Sequence, residues 1–226
     1  MNLKKSNWVF NEEVTKQFSN HVRASVPFYD EFHTVILELS RWFVEPKSNI
    51  YDLGASKGEL ISLLQSTHNN VNFIAIENSK SMANSLRENF KQSVKIIEKD
   101  LTDETLTFTN TNFIISMLTM QFIELSKRQN LFNKIYKGLH TGGAFILVEK
   151  IHMKDSLIQN LSNGLLTDFK LKNLSKEHIV DKERSIRGVL KPVTLQDNFN
   201  YLSNAGFKKY EVILQWGNFV GIIAIK

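Results

Sequence analysis

Cysteine is absent from this chain. Disulfides, zinc thiolates, iron–sulfur clusters and thiol nucleophiles are therefore excluded, and a reducing, cytoplasmic compartment is the expectation. Proline is scarce, with only three in 226 residues, and no proline-rich linker, low-complexity tract or internal repeat divides the chain. No apolar run approaches the roughly 18–20 residues that a membrane-spanning helix needs. The first residues, MNLKKSNWVFNEEV, start basic and turn acidic before an apolar stretch can form, so no signal peptide and no membrane role are expected. The six histidines (His21, His33, His68, His140, His152, His178) form no H-E-x-x-H or two-histidine–carboxylate pattern. No metal site is expected. No Gly-x-Ser-x-Gly elbow is present, which argues against acyl transfer. Strong charge is lacking too. The net charge is +5, with basic residues scattered or in short pairs such as Lys208–Lys209. Direct nucleic-acid binding would call for clustering on one face. An anionic small substrate fits the same charge.

What the chain does have is 42% apolar residues, enough for a sizeable core, in alternating strand-like and helix-like runs. SNIYDLG, VNFIAIE, VKIIEKD, NFIISM and AFILVEK read as buried strands. Helical patterns fall between them, including GELISLLQS, SKSMANSLRENF with Ser79 as its N-cap, and SKRQNLFNKIYKGL, expected to stop at His140-Thr141-Gly142-Gly143. Alternation with short links predicts a mostly parallel sheet with helices on both faces. The last third departs from the rhythm. A helix capped by Thr194 and stopped at Gly206 precedes KYEVILQ and FVGIIAI, which Trp216-Gly217-Asn218 joins as an antiparallel hairpin. The prediction is one α/β domain over 1–226: a Rossmann-like, seven-stranded sheet of the class I methyltransferase type, closed by that hairpin. Residues 1–46 would form a helical extension and 155–190 a helical insertion. Trp42, Phe43 and Phe28 are expected to pack the N-terminal helices, the other reading being a lid over the ligand crevice.

Asp52-Leu53-Gly54-Ala55-Ser56-Lys57-Gly58 follows the first strand and opens the first helix of the repeat. Small residues there let backbone approach a ligand, and a helix N-terminus offers free N–H groups. It is not a Walker A loop, and it lacks the three-glycine spacing of a dinucleotide site. Glu77 ends the second strand about 20 residues after the turn, where a carboxylate can accept both hydroxyls of a ribose. Asp100 ends the third strand, the usual place for a polar residue at an adenine edge. The three strand ends together point to a nucleoside-containing cofactor.

On these and further residues the chain resembles the carboxy-S-adenosylmethionine synthases, nearly end to end. The matching segments are Trp8-Val9-Phe10-Asn11-Glu12, Arg23-Ala24-Ser25-Val26-Pro27-Phe28-Tyr29, Tyr51-Asp52-Leu53-Gly54 and Ile76-Glu77-Asn78-Ser79. Gln121-Phe122, Gly142-Gly143-Ala144, Glu149-Lys150, Asp168-Phe169-Lys170, Lys182-Glu183-Arg184-Ser185 and Ala205-Gly206-Phe207 continue the match. The resemblance implies a homodimeric transferase that takes S-adenosylmethionine and prephenate and makes carboxy-S-adenosylmethionine, the carboxymethyl donor for wobble-uridine modification in tRNA. It implies that Tyr29, Gly54, Ala55, Ser56, Glu77, Asn78, Asp100 and Leu101 contact the cofactor. It implies that Arg184 pairs with the new carboxylate. Tyr29 and Arg184 are the candidate catalytic residues, with Arg23 a further cation near the crevice. Two positions depart from the family pattern. Met117 stands where the family has a cofactor-contacting asparagine, and a thioether cannot donate an amide hydrogen bond. Ala55 stands where the family has a cysteine. The stretch between Asp168 and Arg184 is also dissimilar. Met117 favours the alternative, an ordinary methyltransferase acting on a small acid.

Overall fold

The structure is a computed structural model and describes residues 21–226. The family-like segment Trp8–Glu12 and the first part of the N-terminal extension lie outside the described residues. A short helical stretch ends at Ser25 and is followed by α1 (Tyr29–Phe43). The chain then runs β1 (Asn49–Leu53), α2 (Glu59–Gln65), β2 (Asn72–Glu77), α3 (Lys80–Phe90), β3 (Val94–Glu98) and β4 (Thr111–Met117). A 3₁₀ turn (Met120–Phe122), α4 (Leu125–Gly138), β5 (Leu139–Lys150), α5 (Ser156–Leu171) and α6 (Lys176–Ser185) follow. The chain closes with α7 (Leu195–Ala205), β6 (Lys209–Trp216) and β7 (Phe219–Ile225).

The seven strands form one sheet in the order β3-β2-β1-β4-β5-β7-β6. Its first five strands are parallel, while β7 is antiparallel to both β5 and β6. This is the class I methyltransferase sheet that the alternation and hairpin predict. Parallel strands buried on both faces must be apolar almost throughout, and β1, β2 and β4 are buried at nearly every position. One core cluster packs Phe32, Ile36, Leu60, Leu64 and Leu86 on one face of the sheet. The other packs Leu131, Phe132, Ile135 and Leu202 on the opposite face.

Local signals hold at several helix ends. Ser79 accepts the Met82 N–H and caps α3. Thr194 and Asp197 form a reciprocal capping box at the start of α7, and Gly206 ends that helix at φ 116°. His140–Gly143 behaves differently from the predicted helix stop. β5 begins at Leu139, directly after α4, and pairs Leu139 with Thr111 before a register shift that resumes at Ala144 opposite Phe113. The His-Thr-Gly-Gly run is thus an irregular strand start, with Gly142 taking the left-handed conformation (φ 83°). Trp42 is also misread by its chemistry alone. It is 83% exposed, whereas Phe43 stacks on Phe113 with ring centroids 6.4 Å apart and Phe28 stands half out of the surface. On α1, Phe32, Ile36 and Ser40 face the core, which turns Trp42 outward.

Candidate active site

Ligands of open α/β sheets bind beyond the carboxyl ends of the parallel strands. A cavity of about 630 Å³ lies there, lined from β1, β2, β4, β5 and the segments after them, and covered by α1, α5 and α6. That volume falls in the range of small-molecule sites.

The loop between β1 and α2 forms one wall. Gly54 N–H and Ala55 N–H both donate to the Ile76 carbonyl, at 2.8 and 3.2 Å, tying the loop to β2. Gly54 and Gly58 take positive φ (75° and 79°), and a side chain at Gly54 would strike Thr119. The glycine turn is therefore required by both backbone and packing. Ser56 shares the left-handed conformation at φ 52°, and its N–H donates to Glu77 Oε2 at 2.9 Å. Glu77 Oε1 accepts the Ser79 N–H at 2.9 Å. Burial raises the Glu77 pKa, and these backbone donors pull it back. The Asn78 N–H is a third backbone donor to this carboxylate, which still leaves acceptor capacity for a ligand hydroxyl.

Asp100 faces the same end. Burial pushes its pKa up, but hydrogen bonds from the Thr102 hydroxyl and N–H (2.6 and 2.7 Å) outweigh that, and the net shift is downward. Asn78 Nδ2 also approaches Asp100, at 3.4 Å. Leu101, 7% exposed, adds an apolar wall. Asp52, only 4% exposed, lines the cavity at the end of β1, and burial, reinforced by Glu77, pushes it up to about 7.

Tyr29 and His33 line the cavity from α1, their rings 4.5 Å apart and edge to face. Burial raises the Tyr29 pKa and lowers that of His33, so both are neutral near pH 7. Met117 lines the cavity at the end of β4. The turn after it is held firmly. Leu118, in the left-handed region at φ 58°, donates its N–H to the Val148 carbonyl at 2.7 Å. Met120 N–H donates to Glu149 Oε1 at 3.0 Å, and Gln121 Oε1 accepts the Lys150 N–H at 3.0 Å. Glu149 is buried, and that burial pushes it up to about 8 despite the opposing charge of Arg128. Arg128, 1% exposed, donates to the carbonyls of Ile123 (3.1 Å) and Lys191 (2.6 Å), bracing α4 against the segment after α6.

Nine of the eleven candidate residues singled out in the sequence line this cavity: Tyr29, Gly54, Ala55, Ser56, Glu77, Asn78, Asp100, Leu101 and Met117. Arg184 does not. It lies on the outer face of α6, its side chain 68% exposed and 3.7 Å from Asp181. At about 100° per residue, two positions of helix rotate a side chain through roughly 200°. Lys182 faces the cavity, so Arg184 turns away. Arg23 is not on the wall either. It pairs with Asp30 and Glu59, each at 2.9 Å, and lies 5.2 Å from the Tyr29 ring centroid.

Sequence reasoning missed the cations that line the other end. Lys150 ends β5, Lys170 lies on α5 and Lys182 on α6, and all three border the cavity. Burial, and after it the charge of Lys170, lowers the pKa of Lys150 and brings Lys182 down to about 8. Lys170 is 3.4 Å from Glu183 Oε1. His21 also lines this end and is held down to about 4 by burial and then by Lys182, His178 and Lys170.

Residues 50–143 match the methyltransferase domain family. Relatives named carboxy-S-adenosyl-L-methionine synthase include one from Staphylococcus epidermidis, 41% identical over the whole of both chains. Another, from Escherichia coli, is 33% identical over 97% of this chain and 91% of that one. The chain belongs to the carboxy-S-adenosyl-L-methionine synthase family. It is a transferase, and S-adenosylmethionine is the cofactor of its fold and family. Among solved structures, a methyltransferase from Methanococcus maripaludis superposes with a TM-score of 0.63 at 19% identity, covering 99% of this chain and 96% of that one. Human N-acetylserotonin methyltransferase, solved with S-adenosylmethionine, gives a TM-score of 0.66 at 15% identity, and this chain covers 60% of that longer enzyme. At those identities the likeness concerns the fold. The donor set fits the cofactor on its own terms: a carboxylate held by backbone at a strand end for a ribose diol, an apolar wall beside Asp100 for a base, and a buried carboxylate, Asp52, for a cationic ligand.

Proposed function

We propose that this protein binds S-adenosylmethionine in the cavity and, with prephenate, produces carboxy-S-adenosylmethionine and phenylpyruvate. Bound S-adenosylmethionine supplies a methyl group made acidic by the adjacent sulfonium. Prephenate loses its ring carboxylate as carbon dioxide while its ring hydroxyl departs and the ring becomes aromatic. A carbon–carbon bond joins that carbon dioxide to the methyl carbon, and the methyl proton leaves with the departing hydroxide as water.

The chain's own residues divide this task. Glu77 receives the ribose hydroxyls through its remaining lone pairs, and Asn78, Asp100 and Leu101 receive the base. Gly54, Ala55 and Ser56 let the backbone come close. Asp52 offsets the ligand's positive charge. Tyr29 and His33 close the cavity against water, which strengthens every charge interaction inside it. Arg184, the resemblance's partner for the product carboxylate, would reach a cavity only from a second copy of the chain. The homodimer that this requires is supported by the apolar outer face of α5, where Leu157, Leu161 and Leu165 are more than half exposed. The product would serve tRNA wobble-uridine modification in the cytoplasm.

One observation carries the choice of carboxyl over methyl transfer: the end of the cavity beyond β5 is cationic. Methyl transfer needs a nucleophile, usually with a base beside it, at about 3–3.5 Å from an electrophilic methyl. Prephenate instead brings two carboxylates that need cations. Met117 favours the second reading, methyl transfer to a small acid. Incubation of the purified chain with S-adenosylmethionine and prephenate labelled in its ring carboxylate tests between them. Label in a sulfonium product is the expected result. No conversion by folded, cofactor-loaded protein would favour methyl transfer.

A further inference from the structure

We propose that Gln121 is a substrate-binding residue of this cavity: its side-chain N–H donates to a carboxylate oxygen of the second substrate, a small acid. Gln121 belongs to the 3₁₀ turn after β4 and lines the cavity, yet the residue is only 6% exposed. A carboxamide carries one acceptor oxygen and two N–H bonds, and burial makes each of them costly to leave unmet. The oxygen is met, because Oε1 accepts the Lys150 N–H at 3.0 Å. Only an oxygen can accept that bond, so Nε2 is turned the other way. Among the described residues Nε2 has no hydrogen-bond partner. The Ser116 hydroxyl and the Asn218 amide are also unpartnered, but protein encloses them on all sides. Gln121 Nε2 instead keeps contact with the cavity that its residue lines.

The sheet itself fixes where this donor stands. β4 ends at Met117, while β5 runs on to Lys150. Backbone N–H groups alternate sides along a strand, and the next one, from Ile151, donates to the Asn218 carbonyl on the β7 side at 2.7 Å. The Lys150 N–H therefore points to the side where β4 has already stopped. The Gln121 oxygen takes the place of the missing ladder carbonyl. The turn's backbone is anchored as well. Lys191 N–H donates to the Gln121 carbonyl at 2.8 Å, and Glu149 accepts the Met120 N–H at 3.0 Å. With side chain and backbone both held, the Nε2 donor is preorganised for one ligand pose. A lysine attracts an acid without orienting it, since its ammonium is a point charge on a flexible stem. A fixed amide supplies the orientation.

Position decides which molecule the donor meets. Glu77 ends β2, Gln121 is bonded to the end of β5, and β1 and β4 lie between those strands. Three strand spacings separate the two points by about 14 Å. The cofactor's nucleoside at β2 and β3 therefore leaves the edge between β4 and β5 to a second molecule. An N–H selects an acceptor, and a carboxylate oxygen is the strongest acceptor that a small acid offers.

This role rests on the reading of the cavity as a two-substrate site, and its test separates the two. Gln121→Met and Gln121→Glu are made in the full-length chain and checked for folding by thermal melting. Gln121→Met loses both the donor and the acceptor of the Lys150 N–H. Gln121→Glu keeps the shape and that acceptor, but puts a second acceptor where the donor was. Kinetics are measured at roughly pH 9.5, where even a buried carboxyl is largely ionised. Gln121→Met is expected to raise the KM for prephenate by about tenfold or more, as loss of a hydrogen bond to a charged group predicts. Gln121→Glu is expected to raise it further, because its carboxylate repels the substrate's. Both should shift the KM for S-adenosylmethionine by less than about threefold. A wild-type prephenate KM in Gln121→Glu, with Gln121→Met impaired, would assign Gln121 to holding Lys150 and overturn the substrate contact. So would an unchanged prephenate KM in both folded variants, or an equal loss for the two substrates. If the wild-type chain does not convert prephenate, calorimetry with malonate on protein loaded with S-adenosylhomocysteine replaces the assay. Malonate affinity that falls from wild type to Gln121→Met to Gln121→Glu upholds the contact and discards prephenate. Malonate binding that is absent, or indifferent to Gln121, overturns the contact.

Discussion

The two ends of the cavity are built by different means. At the β2–β3 end, carboxylates are fixed by backbone: Ser56 and Ser79 N–H groups grip Glu77, and the Thr102 N–H grips Asp100. At the β5 end, ammonium groups on one strand and two helices are fixed by packing, and they repel one another. The first end is shaped for one ligand in one pose. The second is a field rather than a mould. A cofactor with a constant nucleoside suits the first, and a smaller, more mobile acid suits the second.

The contrast sharpens most at Glu77. Glu77→Ala removes the ribose acceptor and also leaves the Ser56 and Ser79 N–H groups without their acceptor. A loss of about 1.5–3 kcal/mol in S-adenosylmethionine binding is expected, because charged hydrogen bonds are lost. Titration calorimetry on the folded variant measures it. Unchanged affinity would remove the basis for placing the nucleoside at β2.

A smaller effect should come from Asp52. Its folded carboxyl titrates at about 7, well above the ordinary 3.8. The raised value means that the neutral form is favoured by folding, so its share of the apo protein's stability falls as pH climbs from about 4 to about 7. Affinity for a cationic ligand runs the other way, since only the ionised carboxylate attracts it. S-adenosylmethionine binding should therefore strengthen by up to about tenfold per pH unit below 7 and level off above it. Asp52→Asn should flatten that profile. An equally steep profile in the variant would assign the titration to another group.

The same contrast explains what could be read in the sequence. The fold was legible because each parallel strand is an unbroken apolar run, as in NFIAIE and TNFIISM, and because Gly217 marks the final hairpin. Glu77 and Asp100 were legible because a strand end fixes where a side chain stands. Lys170 and Lys182 lie on amphipathic helices of an insertion that β-strand logic does not reach, and their phase toward the cavity appears only when α5 and α6 are packed. Lys150 had a signal that went unused: it is the last residue of a parallel strand, and that end faces ligand. Arg184 shows the converse. Its segment matched the family, but a matched segment does not fix which face of α6 an individual side chain takes. Glu149 and Arg128 were invisible as a pair, because 21 positions of sequence separate them and only the turn after β4 brings them to one task.

The most direct test of carboxyl rather than methyl chemistry is the mass of the ligand retained by the purified chain. The two-ended cavity, cationic beyond β5, predicts a nucleoside heavier than S-adenosylmethionine by the mass of one carbon dioxide. Recovery of S-adenosylmethionine or S-adenosylhomocysteine alone, from cells that make prephenate, would contradict it.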